Sequence, residues 1–297
     1  MRLVTFSPQA GGAPRVGLLR TDDEVIDLTH VGGNPPFDPA DMNSLIAGGE
    51  KAISWLRDVA SGSRDAVALG QVRLHAPISN PRRNVYCVGW NYLDHFEEGA
   101  KARPQKVDLP AHPAFFTKAA GTVNGPYEAI PFDASVSTQI DWEVELGLII
   151  GPGGKNIPEA DAMKHVFGYT VINDVSARDI QRRHNQWFKG KSLDGSCPMG
   201  PWIVTSDAIR DPGNLRLSTR VNGALKQDSN TRHLYFKLPR IIAELSLGLT
   251  LEPGDIIATG TPSGVGYART PPEFLKPGDV LETEVEGIGL LRNRIGN

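Results

Sequence analysis

Cysteine is scarce in this chain of 297 residues: only Cys87 and Cys197 are present. Two cysteines cannot build a disulfide framework, so a reducing cytoplasm is the expected compartment. No apolar run is long enough to span a membrane, and the N-terminal "MRLVTFSPQAGG" has too short an apolar stretch for a signal peptide. No long run of one charge sign occurs, and the formal net charge is only −3. That excludes a basic nucleic-acid groove and a cationic membrane patch. No internal repeat and no low-complexity tract is present, which excludes a solenoid.

What remains is a chain of ordinary globular composition, 40% hydrophobic and 22% charged. Its 32 glycines and 23 prolines suit many strands joined by tight turns. "RLVTF" and "RVGLLRTDDEVIDLT" read as strands, the second a hairpin turning near Asp22-Asp23. "MNSLIAGGEKAISWLRDVA" has helical spacing broken at Gly48-Gly49. The segment "APISNPRRN" (76–84) reads as a linker, which sets a small N-terminal domain (1–76) apart from a main domain (84–297). In the latter, "VYCVGW", "AFFTK", "GPWIVTSD", "LRLSTRVNGALKQD" and "DVLETEVEGIGLLRNRI" read as strands. "IPEADAMKHVFGYTVINDVS" reads as a helix running into a strand. Helices are predicted near "ARDIQRRH" and from Pro239 to Gly248. Strands outnumber helices without alternating with them, which makes the class a β-rich α+β fold.

The stretch "STQIDWEVELGLIIG" (137–151) carries the main chemical signal. With side chains alternating along a strand, Asp141, Glu143 and Glu145 share one face, while Leu146–Ile150 is apolar on both. A D-x-E-x-E pattern also describes a solvated strand face. The apolar continuation argues for burial, and adjacent buried carboxylates repel unless a cation joins them. Hard divalent cations take such oxygen ligands. A third acid is offered by Asp174, where the strand "YTVIND" ends; such a residue is as often a turn former. Arg178 and Gln181 follow at helical offsets that suit a carboxylate or carbonyl of a substrate. In "DHFEE", His95 and Glu98 meet at i, i+3, either as a surface ion pair or as a carboxylate orienting a general base. They begin a long polar stretch, 94–110, of the kind that forms lids.

"FKGKSLDGS" contains Gly190-Lys191-Ser192 but lacks the glycine of a phosphate loop, since Asn185 stands there. The glycines of "TGTPSGVG" (259–266) either let backbone N–H groups approach an anionic substrate or simply make turns. Acids, a His–Glu pair, Lys, Arg and a glycine-rich loop at strand ends together suit a metal-assisted enzyme acting on a small anionic substrate.

Six stretches, in order, resemble the fumarylacetoacetate hydrolase superfamily: "CVGWNYLDHFEE", "DWEVELGLIIG", "GYTVINDVSARDIQ", "KGKSLDGSCPMGPWIV", "LEPGDIIATGTPSGVG" and "LKPGDVLETEVEGIGLLRN". They cover about Asn84 to Asn293 and resemble most the branch of acylpyruvases and 2-hydroxyhepta-2,4-diene-1,7-dioate isomerases. The resemblance implies a mixed β-roll and a homodimer. It also implies a site for Mg²⁺ or Mn²⁺, with Ca²⁺ as another hard cation such ligands accept. By position, Glu143, Glu145 and Asp174 resemble the metal ligands, with Asp141 standing just behind them. His95 and Glu98 resemble a lid-borne catalytic dyad, and Lys191 a catalytic lysine. Arg178, Gln181 and Thr261 match substrate-contacting positions. Trp90 departs from the basic or small polar residue common at its place, and the stretch after Glu98 is unusually long.

The implied chemistry is a metal chelating a 2-oxo acid end and stabilising an enolate. The first expectation is hydrolysis of a C–C bond in an acylpyruvate-like, fumarylpyruvate-like or sugar-derived β-diketo acid. The alternative is decarboxylation of oxaloacetate or isomerisation of a 2-hydroxy-dienedioate in aromatic catabolism. A binding module with a structural metal is a third reading, against which the His–Glu pair and Lys191 argue.

Overall fold

The computed structural model describes residues 1–62, 65–102 and 108–296. In chain order the strands are β1 (Arg2–Pro8), β2 (Arg15–Leu19), β3 (Glu24–Asp27), β4 (Val67–Ala68), β5 (Val72–His75), β6 (Val85–Gly89), β7 (Ala114–Lys118), β8 (Val123–Asn124) and β9 (Ile140–Asp141). They continue with β10 (Val144–Ile150), β11 (Val166–Asn173), β12 (Ser176–Ala177), β13 (Cys197–Thr205), β14 (Arg216–Val221), β15 (Ala224–Asn230), β16 (Ile256–Ala258), β17 (Val280–Val285) and β18 (Gly289–Arg294). The helices are α1 (Met42–Ala47), α2 (Gly49–Gly62), α3 (Leu93–Ala102), α4 (Arg178–Arg183), α5 (Phe188–Lys191) and α6 (Leu238–Ser246).

The main sheet runs β4-β3-β2-β1-β13-β11-β10-β16-β6-β7, with β5 on β1 and β8 on β13. Its catalytic half rolls up. From β7 a single turn at Ala120–Thr122 leads into β8, which pairs in parallel with β13 and so brings the chain back to the middle of the sheet order. Most pairs are antiparallel, but β16 and β6 run parallel, so the roll is mixed. A second sheet, β15-β14-β17-β18, packs against it.

The apolar run that ends in Ile150 explains the centre. Every residue of β10 is buried. Val144, Leu146, Leu148 and Ile150 enter one core with α6 and the second sheet, while Ile149 enters another with α1 and α2. The expected hairpin turns occur where their residues suit them: Asn222 and Gly223, with φ of 50° and 80°, join β14 to β15. The helix expected before β11 is a 3₁₀ stretch, Glu159–His165. The N-terminal strand β1 pairs with β13 at Arg2–Val204 and Leu3–Ile203, so the main sheet continues into the N-terminal hairpins. Cys87 and Cys197 are buried and unpaired. Among the described residues no helix is long and apolar enough to cross a membrane.

Candidate active site

Strand register builds the site. In the antiparallel pair β10–β11, Val144 stands opposite Asn173. Glu143 and Glu145 flank the first of these residues and Asp174 follows the second, so the three acids meet at one sheet edge. The strand is not continuous through the acidic pattern, however. Trp142 and Glu143 separate β9 from β10. At this break the Glu143 N–H donates to the Asn173 side chain, and the Asp174 N–H donates to the Glu143 carbonyl. Asp141 therefore belongs to a separate pair with β12, opposite Ser176, and is not one of the three converging acids.

One ligand oxygen from each of Glu143, Glu145 and Asp174 lies within 4.8 Å of the others, and all three residues are buried. Glu145 accepts a hydrogen bond from the Gly260 N–H at 2.7 Å. Burial, with Asp174 and Glu143 beside it, pushes the Glu145 carboxyl well above its usual range. Asp174 Oδ1 is buried without a hydrogen bond, although Lys118 Nζ lies 2.8 Å away. An all-oxygen set, one member of which resists ionisation until positive charge arrives, fits a hard divalent cation.

Cations hold both Glu143 oxygens and the second Asp174 oxygen. Lys191 Nζ donates to Glu143 Oε2 at 2.7 Å and to Asp174 Oδ2 at 2.6 Å. Arg178 Nη2 lies 2.6 Å from Glu143 Oε1. Burial alone would raise the Glu143 carboxyl, but Lys191, Arg178 and His95 outweigh it and hold it down at about 2. Burial likewise opposes charge on Lys191 and Arg178. Asp174 and Glu143 reverse this for Lys191, as Asp141 and Glu143 do for Arg178, so both stay firmly protonated.

The other wall carries the dyad. His95 and Glu98 lie on α3, with His95 Nδ1 2.9 Å from Glu98 Oε1. The glycine-rich loop docks this helix. Gly264 N–H donates to Glu98 Oε2 at 2.9 Å, and Ser263 Oγ donates to Asp94 Oδ2 at 2.7 Å. The same loop donates Gly266 and Tyr267 N–H to Asp141. Its N–H groups thus hold the protein's own carboxylates, which neither expectation for these glycines anticipated. Of the expected lid, residues 103–107 lie outside the described residues.

Between these walls lies a cavity of ≈ 510 Å³, lined among others by His95, Glu143, Glu145, Arg178, Lys191 and Thr261. Gln181 also lines it and accepts from Arg178 Nη1 at 3.0 Å. Thr261 Oγ1 accepts from the buried Gln227 amide at 2.9 Å. All nine residues singled out from the sequence are thus at or beside one cavity: eight line it or join the acid triad, and Glu98 stands behind His95.

Other residues of the site carry little signal in the sequence. Lys118 is fully buried and donates to the Val175 carbonyl at 3.0 Å and also to that of Lys191; its only sequence signal is a charge closing the apolar "AFFTK". Trp187 packs edge-on against Trp90 and Phe116, at 4.8 and 5.3 Å between centroids. A Cβ at Gly89 would come within 2.2 Å of Trp187, so only glycine allows this aromatic wall.

Residues 84–296 match the family model described as fumarylacetoacetate (FAA) hydrolase C-terminal. The chain belongs to the fumarylacetoacetate hydrolase family. It is 43% identical over 294 residues to oxaloacetate tautomerase YisK of Bacillus subtilis, covering 95% of this chain and 96% of that one. It is also 43% identical over 298 residues to the mitochondrial oxaloacetate tautomerase fahd2 of Xenopus laevis, covering 99% and 90%. Among solved structures, maleylpyruvate hydrolase from Sphingobium sp. SYK-6, in complex with manganese(II) and pyruvate, superposes with a TM-score of 0.79. It is 30% identical, covering 100% of this chain and 99% of that one.

As a member of this family the chain is an enzyme with a buried acid triad able to bind a metal. The expected C–C bond hydrolase is overturned. The relatives matched over nearly the whole chain are named oxaloacetate tautomerases, which accords with the oxaloacetate-type alternative. The physical reason is that a His–Glu pair does not by itself imply water activation. The same pair can move a proton to or from carbon, and sequence does not separate the two uses.

Proposed function

We propose that the enzyme interconverts the keto and enol forms of oxaloacetate or a close 2-oxo dicarboxylate. The reading is carried by one observation: a hard-cation triad and two firmly protonated side chains share a cavity with an imidazole–carboxylate pair. The names of the full-length relatives supply the substrate class. Glu143, Glu145 and Asp174 would hold Mg²⁺ or Mn²⁺, which supplies Lewis acidity toward a carbonyl oxygen.

Tautomerisation needs one proton moved and no bond hydrolysed. Glu98 engages His95 Nδ1, which leaves Nε2 to take a proton from C3. The C3–H electron pair becomes the C2=C3 bond, and the carbonyl pair moves to O2. Lys191 and Arg178 orient the 2-oxo acid end, and Lys191 hydrogen-bonds O2 as negative charge develops there. The imidazolium then passes its proton to O2, or loses it to solvent while solvent protonates O2, which completes the enol and restores the neutral imidazole. Gln181 and Thr261 border the substrate, and the chain acts as a homodimer.

The test follows decay of the enol's ultraviolet absorbance after enol-oxaloacetate is dissolved, with and without Mg²⁺ or Mn²⁺. Acceleration that is lost on chelation and restored by metal is expected. No acceleration under any metal would refute the reading, and pyruvate forming in step with enol loss would replace it with decarboxylation.

A further inference from the structure

The inner cations of the cavity are already committed. Lys191 pairs with Glu143 and Asp174, and Arg178 pairs with Asp141 and Glu143. They suit one anionic end of a substrate, at the metal triad. A dicarboxylate brings a second charge that needs its own partner. The aromatic wall of Trp90, Phe116 and Trp187 offers none.

Arg182 does. It lines the cavity and is exposed to solvent there. Its guanidinium donates to the neutral Gln139 amide oxygen, and among the described residues no carboxylate pairs with it. It lies on α4 four residues after Arg178, so the two arginines share a helix face. Four residues of helix rise about 6 Å, comparable to the reach of a four-carbon diacid between its outer oxygens. His184, which ends α4, lines the same mouth and is also exposed. Arg182 in the last turn of α4 and His184 at its end are held in place by α5, which packs on α4 through Gly190, where a Cβ would strike the Gln181 backbone at 2.4 Å.

We infer that Arg182, assisted by His184, receives the distal carboxylate of the substrate and makes the enzyme selective for 2-oxo dicarboxylates over monocarboxylates. The inference rests on the tautomerase reading for its substrate class, but recognition can be measured without turnover. An arginine fork recognises a carboxylate geometrically as well as by charge, so lysine should replace it only in part.

Calorimetry on the Mg²⁺-loaded protein with L-malate and L-lactate compares a diacid and a monoacid that share the same 2-hydroxy acid end. The wild type should bind malate more tightly. Arg182→Gln should weaken malate about tenfold, as loss of a charge-assisted pair commonly does, and leave lactate unchanged. Arg182→Lys should recover part of the loss, and His184→Gln should show a smaller one. In turnover, Arg182→Gln should raise KM for enol-oxaloacetate with kcat nearly unchanged. Equal affinity of the wild type for the two acids, or equal weakening of both in Arg182→Gln, would overturn the inference. A malate preference that depends on Arg182, in a protein without tautomerase activity, would uphold this recognition and sink the tautomerase reading. Tautomerase activity with no diacid preference would do the reverse.

Discussion

Arg178 Nε donates to Asp141 Oδ2 at 2.8 Å, and both side chains are nearly inaccessible to solvent. Asp141 also accepts the Gly266 and Tyr267 N–H groups. One carboxylate thus fixes the cation that faces the substrate and the end of the loop that docks the His95 helix. Asp141→Asn is expected to destabilise the protein by about 2–3 kcal/mol: Arg178 keeps Glu143 as a partner, but its second charge-assisted bond and those from the Gly266 and Tyr267 N–H groups are weakened. Chemical denaturation checks this, and a loss under about 1 kcal/mol would contradict it.

Glu143 and Glu145 are two residues apart and should respond to pH in opposite directions. Glu143 is held below its ordinary 4.5, to about 2, so its contribution to stability is present above pH 4.5 and is lost as pH falls toward 2. Glu145 is raised, so its contribution is present below pH 4.5 and is lost as pH rises through the elevated folded value. At pH 8 in chelator, Glu145→Gln should therefore melt a few degrees higher than wild type and Glu143→Gln a few degrees lower. Thermal melts of the metal-free proteins decide this; shifts of the same sign would refute the electrostatic account.

Much of this was legible in the sequence, for a local reason. The triad depends on strand periodicity and on an apolar run that demands burial, both visible in 137–151. The i, i+3 spacing of His95 and Glu98 likewise survives folding, as does the turn at Asn222-Gly223. What was not legible depends on pairing between distant segments. Asp141 looked like the first of three equivalent acids because nothing local marks the break at Trp142–Glu143; that break exists because Asn173, thirty residues on, supplies the acceptor. Lys118 closes the strand "AFFTK" with no local sign of burial, and only closure of the roll buries it against Asp174. The glycines at 260, 264 and 266 were readable as turns, but not as donors to carboxylates more than a hundred residues away.

Glu98 orients His95 through one oxygen and the loop through the other. Glu98→Gln should lower kcat about tenfold or more, because the imidazole loses its charged partner, while Mg²⁺ affinity by calorimetry stays unchanged. Loss of metal binding in this variant would show that the dyad and the triad are not separate devices.

Metal binding should release a proton at pH values where an ordinary carboxyl is already ionised, because the raised Glu145 carboxyl must ionise to act as a ligand. Titrations in two buffers of different ionisation enthalpy measure the number released. No release at any pH up to 8 would contradict the raised Glu145 carboxyl.

The central claim concerns a proton on carbon. Proton NMR of oxaloacetate in deuterated buffer, with the Mn²⁺-free, Mg²⁺-loaded enzyme, follows exchange at C3 and the amount of oxaloacetate together. The account predicts faster C3 exchange with the oxaloacetate pool intact, abolished in Glu145→Gln and reduced about 10²–10⁴-fold in His95→Asn. Exchange no faster than with Mg²⁺ alone, or exchange unchanged in His95→Asn, would contradict it.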